Sequence, residues 1–163
     1  MGQNVNALIE HNLPSEDILK LPEYLCASSD ETISGQWHWT IPKIDKQLLE
    51  DALSKRAEYF INNSWSEKDL ALLEKDNMTL HFFKPNLLTF DNSIRWNSYK
   101  SNETLRKEFN RLAKIISQLL SALDIIIVPD LSSVDFFDEE KDLTVNAYRQ
   151  KANDNKIYAV EIE

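Results

Sequence analysis

The run "DFFDEEKD", from Asp135 to Asp142, sets five carboxylates, two phenylalanines and one lysine in eight positions. A calcium loop places oxygen ligands at alternate positions and turns sharply on a glycine. This run lacks the glycine, and Phe136 and Phe137 interrupt the spacing. Magnesium asks for only one or two carboxylates beside a phosphate ligand, a demand too loose for this pattern to answer. A docking face for a basic protein asks for charge and anchors. Here Asp135, Asp138, Glu139, Glu140 and Asp142 would form an acidic rim, with Phe136 and Phe137 as anchors inside it. Most runs of this kind are solvated loops or helix starts. If this one is functional, the docking face is better supported than the metal cage.

The other reactive side chains are scattered. His11, His38 and His81 share no HxH or HExxH spacing. If the strands carrying His38 and His81 were neighbours, the pair could form a zinc site in principle with Asp91 or Glu10. Three unrelated histidines are unremarkable, so no metal is expected. Cys26 is the one cysteine, which excludes an internal disulfide and a CxxC pair, and a lone cysteine is usually a small core residue. There is no GxSxG elbow. Gly2 and Gly35 are the only glycines, so the glycine-rich phosphate cradles and dinucleotide fingerprints are missing and no cofactor is expected. Asp130 follows the apolar run "DIIIVP" at a strand's carboxyl end, where open α/β sheets bind ligands, although capping the next turn is its commoner role. Together with His81 and Arg95, Asp130 marks the candidate ligand pocket. No residue earns a catalytic assignment.

The elements that must position these groups follow from periodicity. Residues 3–10 alternate as a strand, with Val5, Ala7 and Ile9 on one side and Asn4, Asn6 and Leu8 on the other. "LPSEDILKLPEYL" opens a helix at Ser15 that Pro22 breaks in two. In "GQWHWTIP", Trp37, Trp39 and Ile41 share one strand face, which says core rather than a stacking platform. Arg95, Trp96 and Tyr99 are less clearly buried. Helical spacing follows Pro42 through Ile44, Leu48, Leu53 and Phe60, and a second short helix is expected in "SWSEKDLALLEKDN" with Ser66 as its cap. "MTLHFFKPNLLTFDNSIRW" reads as a meander, with turns at "KPN" and "DNS". Leu105, Phe109, Leu112, Ile116, Leu119 and Leu123 stripe the clearest helix, capped by Asn102 or Ser101. "DIIIVPD" reads as a central strand buried on both faces. A weak helix then carries Leu143, Ala147 and Tyr148, and "KIYAVEIE" alternates as a last strand. The order predicts one domain over residues 1–163, α/β or α+β, with helices packed on a mixed, mostly antiparallel sheet of about five to six strands.

Charge bounds the partners. The 163 residues carry 27 acids and 18 bases, a formal net charge of −9. Such a surface repels nucleic-acid backbones and anionic lipid and attracts basic proteins. The charge is uneven: residues 1–42 carry −5, 43–91 carry −2, 92–114 carry +4 and 115–163 carry −6. In the basic segment, Glu103 precedes Lys107 by four residues and Glu108 precedes Arg111 by three, which is ion-pair spacing on a helix. The opening residues lack a secretory pattern and no window approaches a membrane span, so the expected compartment is the cytoplasm.

In its size, acidity, aromatic content and "VDFFDEEKD" run, the chain resembles, at the level of class and without a family motif, the small acidic immunity proteins of bacterial polymorphic toxin systems. That resemblance implies direct binding to a cognate toxin, often a basic enzyme, with the acidic run mimicking phosphate. Two other readings stand beside it: a small enzyme or ligand-binding domain with a pocket near Asp130, and a regulatory or structural interaction module. The sequence does not fix the oligomeric state.

Overall fold

In a computed structural model, residues 3–61, 70–129, 144–154 and 158–163 are described. They run β1 (Asn4–Glu10), α1 (Ser15–Leu19), α2 (Leu21–Cys26), β2 (His38–Trp39), α3 (Lys46–Ile61), β3 (Ala71–Lys75), β4 (Met78–Lys84), β5 (Leu87–Arg95), α4 (Trp96–Ser101), α5 (Glu103–Leu119), β6 (Asp124–Pro129) and α6 (Val145–Asp154). The six strands form one sheet in the order β2-β3-β4-β5-β1-β6, and every neighbouring pair is antiparallel. The fold is α+β, with six helices among the described residues, in line with the sequence expectation.

The pleat sorts side chains into two cores, because successive residues of a strand face opposite ways. Val5, Ala7 and Ile9 of β1 join Leu80, Phe82, Leu88, Phe90 and Ile127 on the face that α1 to α5 cover. Leu8, Phe83, Leu87, Ile126 and Val128 face the other way, against Val145, Tyr148 and Ala152 of α6. The long helix packs through the middle of its stripe, Phe109, Leu112 and Ile116, with Phe109 stacked on Phe90 at 5.3 Å between ring centroids. The Asn102 side chain caps it by accepting the Leu105 amide hydrogen at 3.1 Å.

Several expectations are corrected. Residues 71–75 form strand β3, not the end of a helix. A short apolar run satisfies either period, and here pairing decides: Leu73 lies opposite Leu80 and Lys75 opposite Met78. Asp76 turns this hairpin with φ 53°, a left-handed conformation that Asp and Asn tolerate. "DNS" is a bulge inside β5 rather than a turn. Between Asn4↔Arg95 and Asn6↔Asp91, two steps on β1 match four on β5, and Ser93 has φ 56°. The tryptophan strand shrinks to His38–Trp39, although Trp37 and Ile41 are buried as expected. Ser15 is the first residue of α1, and Pro14 occupies the cap position. β6 is buried on both faces but lies at the sheet's edge, not its centre. The closing segment meets that edge through a bridge from Ile127 to Val160.

Candidate functional site

The acidic run Asp135–Asp142 and Asp130 lie outside the described residues. His81 and Arg95 are described, and they do not converge. His81 sits mid-sheet between Leu72 and Thr89, its ring edge-on to Phe83 at 5.9 Å. Arg95 ends β5 opposite Asn4, four steps along β1 from the Leu8 that faces Thr89, which is roughly 13 Å along the sheet. Pro129 lies opposite Val5, at the Arg95 end of β1. In an antiparallel sheet carboxyl ends alternate from side to side, so the open-sheet rule that singled out Asp130 has no hold here. His38 and His81 are kept apart by β3, which pairs with both their strands. Of the other zinc candidates, Glu10 accepts the Val145 amide hydrogen at 2.8 Å and so caps α6, and Asp91 accepts from Asn4 Nδ2 at 3.2 Å beside the bulge. No group of three or more metal-ligating side chains occurs among the described residues.

His11 is wholly buried at 1% exposure. Its Nδ1 accepts the Leu13 amide hydrogen at 3.1 Å, which places the proton on Nε2, and Nε2 has no partner among the described residues. Burial pushes its pKa down to about 4.

The surface feature that does stand out lies along the C-terminal half of α5. Two shallow depressions of about 630 and 410 Å³ meet at Gln118. Tyr24, Ile115 and Leu119 line the first, and Ala122, Leu123 and Ile125 the second. Tyr24 is 47% exposed and Leu123 63% exposed. Apolar side chains this open are ordinary singly, and these two flank separate depressions that meet at the polar Gln118. The sequence stripe had assigned Leu123 to the core. The helix ends at Leu119, so the stripe outruns the element that would have buried it. Tyr24 gave no periodic signal in the broken helix around Pro22.

Charge frames the first depression. Asp30 lines it, and Glu23 and Glu31 are its exposed sequence neighbours. Arg111 of α5 pairs with the Asp30 carboxylate and forks onto Glu108, at 2.9 Å from Nε and 2.7 Å from Nη2. Burial works to raise the Asp30 carboxyl. The Ile33 amide, the Arg111 guanidinium and the Thr32 amide outweigh it and hold Asp30 below the usual range. The hydrogen bond from Arg111 likewise holds Glu108 down. The predicted Glu103–Lys107 pair is also made, at 2.7 Å.

Comparison with known proteins places this surface in no family: no family model, curated protein or solved structure matches the chain significantly. No helix among the described residues is long and apolar enough to cross a membrane.

Proposed function

We propose that this chain is an acidic protein-binding domain of the cytoplasm that engages a basic protein by direct contact, as an immunity protein engages its toxin. One observation carries the reading: the exposed apolar side chains Tyr24 and Leu123 beside an acidic segment. Residues 16–31, which hold α1, α2 and the loop after them, carry five acids and one lysine. Apolar anchors supply desolvation energy, and a charged surround supplies steering and partner choice. The run Asp135–Asp142 adds to the same charge by sequence. A ligand pocket is less well supported, because His81 and Arg95 lie far apart and the depressions on α5 are shallow.

The test is affinity capture from the source cell's lysate at low and high salt, with intact-mass identification. A stoichiometric basic partner, lost as salt rises, is the expected result. No partner at either salt would overturn the proposal.

A further inference from the structure

We infer that residues 11–14, the crossover from β1 to α1, form a proton-linked latch: a neutral His11 holds it shut, and a charged His11 opens it while the sheet stays folded. The latch acts whether or not a partner binds.

Glu10 and His11 tie four parts of the fold together. The Glu10 carbonyl accepts the Leu123 amide hydrogen and the Glu10 carboxylate accepts that of Val145, both at 2.8 Å, which fixes the turn before β6 and the start of α6 to the end of β1. One residue on, the His11 amide donates to the Asn86 carbonyl of the β4–β5 turn at 2.9 Å, and the His11 ring accepts from the Leu13 amide at 3.1 Å. That ring lies edge-on to Phe82, with 6.2 Å between centroids. Farther along, the Pro14 carbonyl accepts the Asp17 and Ile18 amide hydrogens at 3.0 and 3.1 Å, and Ile18 is buried, so α1 starts from an anchored turn. Between Glu10 and Ile18 the imidazole is the deepest group. Asn12 and Pro14 are exposed and Leu13 is half-buried.

An imidazolium does not fit this seat. Its Nδ1 would carry a hydrogen facing the Leu13 N–H, so an acceptor becomes a donor and the bond is lost. Its Nε2–H already lacks an acceptor among the described residues, and charge raises the cost of that unmet donor. The charged groups around the seat do not offset this. Glu10 points its carboxylate at α6, and Asp124, opposite Glu10 on β6, pairs with Arg149 at 3.0 Å. Lys84 follows Phe82 by two residues on β4. On α1, Glu16 pairs with Lys46 at 2.7 Å, and Asp17 is its neighbour. Burial alone moves the imidazole, down to about 4. The least costly relief is for the ring to swing out. That exposes one ring and part of Leu13 and leaves both cores packed, so it asks for less than global unfolding. Freed, the ring titrates near 6.5, so between that pH and 4 each unit of acid raises the open population about ten-fold.

The test is amide hydrogen exchange of the full chain by NMR, from pH 6.5 to 4.5, corrected for intrinsic rates. Opening at the His11 and Leu13 amides should rise about ten-fold per pH unit, while Leu8 and Phe90 in the sheet stay about a hundred-fold or more better protected. The ring carbons of His11 should titrate near 4. His11→Asn keeps a side-chain acceptor two residues before Leu13 and removes the titration, so its Leu13 opening should not vary with pH. Glu10→Gln keeps an oxygen for the Val145 amide and should retain the parent's slope. Protection of Leu13 equal to that of Phe90 would overturn the inference, because the opening would then be global. A flat Leu13 profile in the parent, a ring that titrates as free histidine, or a slope that survives His11→Asn or disappears in Glu10→Gln would overturn it as well. Should His11→Asn fail to fold, the parent's exchange profile and ring titration decide.

Discussion

His11 stores a pH dependence in its burial. Folded, it titrates near 4; in the unfolded chain it titrates near 6.5. Between those values the unfolded chain holds a proton that the folded chain refuses. Stability is therefore full above pH 6.5, falls as the pH drops, and stops falling from this cause below about 4. Going from pH 7 to pH 4.5 should cost about 2 to 3 kcal/mol, read from urea unfolding at the two pH values. In His11→Gln most of that loss should vanish. Asp30, Glu108 and Asp124 do not confuse the window, because all three are held below the normal carboxylate range. Their contribution is present above the unfolded pKa and is lost only as pH falls below it toward the folded one. If His11→Gln loses as much stability as the parent over this window, burial of a neutral imidazole is not the cause. A second residue-scale pair is neutral: the Tyr99 hydroxyl donates to Asn110 Oδ1 at 2.8 Å in the core. Asn110→Ala strands that hydroxyl and should cost about 1 to 3 kcal/mol in the same assay at pH 7.

At the scale of elements, Arg149 links α6 and the closing segment to the sheet's edge, beside the apolar contacts of Val145, Tyr148 and Ala152. Its guanidinium reaches Asp124 of β6 at 3.0 and 3.1 Å and also pairs with Glu161. Arg149→Gln should leave the sheet intact and speed amide exchange at Val160 and Ile127, whose reciprocal bonds at 2.9 Å are the bridge to that edge. Unchanged exchange there would mean that Ile162, packed on the larger core, and Ala159, packed on the smaller one, hold the segment without the ion pairs. These elements also show what periodicity could and could not reveal. The stripe of α5 was legible because one face meets the core, the alternation of β1 because Asn4 and Asn6 mark its second side although both sides are largely buried, and the turn before Leu87 from its Pro-Asn pair. β3 was misread because Ala71–Leu73 is buried throughout and carries no alternation. The "DNS" signal was real, but a left-handed residue serves a bulge as well as a turn. The edge position of β6 depends on pairings remote in sequence, which local pattern does not encode. The apolar positions beside the depressions were half legible: Leu119 and Leu123 lay on the stripe, while their exposure depends on where α5 stops.

Across the whole molecule, the net charge of −9 sets the approach of a partner before any contact forms. The acids are unevenly placed, with −5 over residues 1–42, −6 over residues 115–163 and +4 between 92 and 114. A basic protein is therefore drawn to some orientations and repelled from others, and the steering weakens as the screening length shortens with salt. Replacing Asp138, Glu139, Glu140 and Asp142 by Asn or Gln takes the charge from −9 to −5. Association with a captured basic partner should then slow several-fold at low salt and converge with the parent at high salt, while dissociation changes little. Stopped-flow mixing across a salt series separates the two rates. An unchanged low-salt association rate would make "DFFDEEKD" a solvated stretch and leave the burden of recognition on Tyr24, Leu123 and the acids beside them.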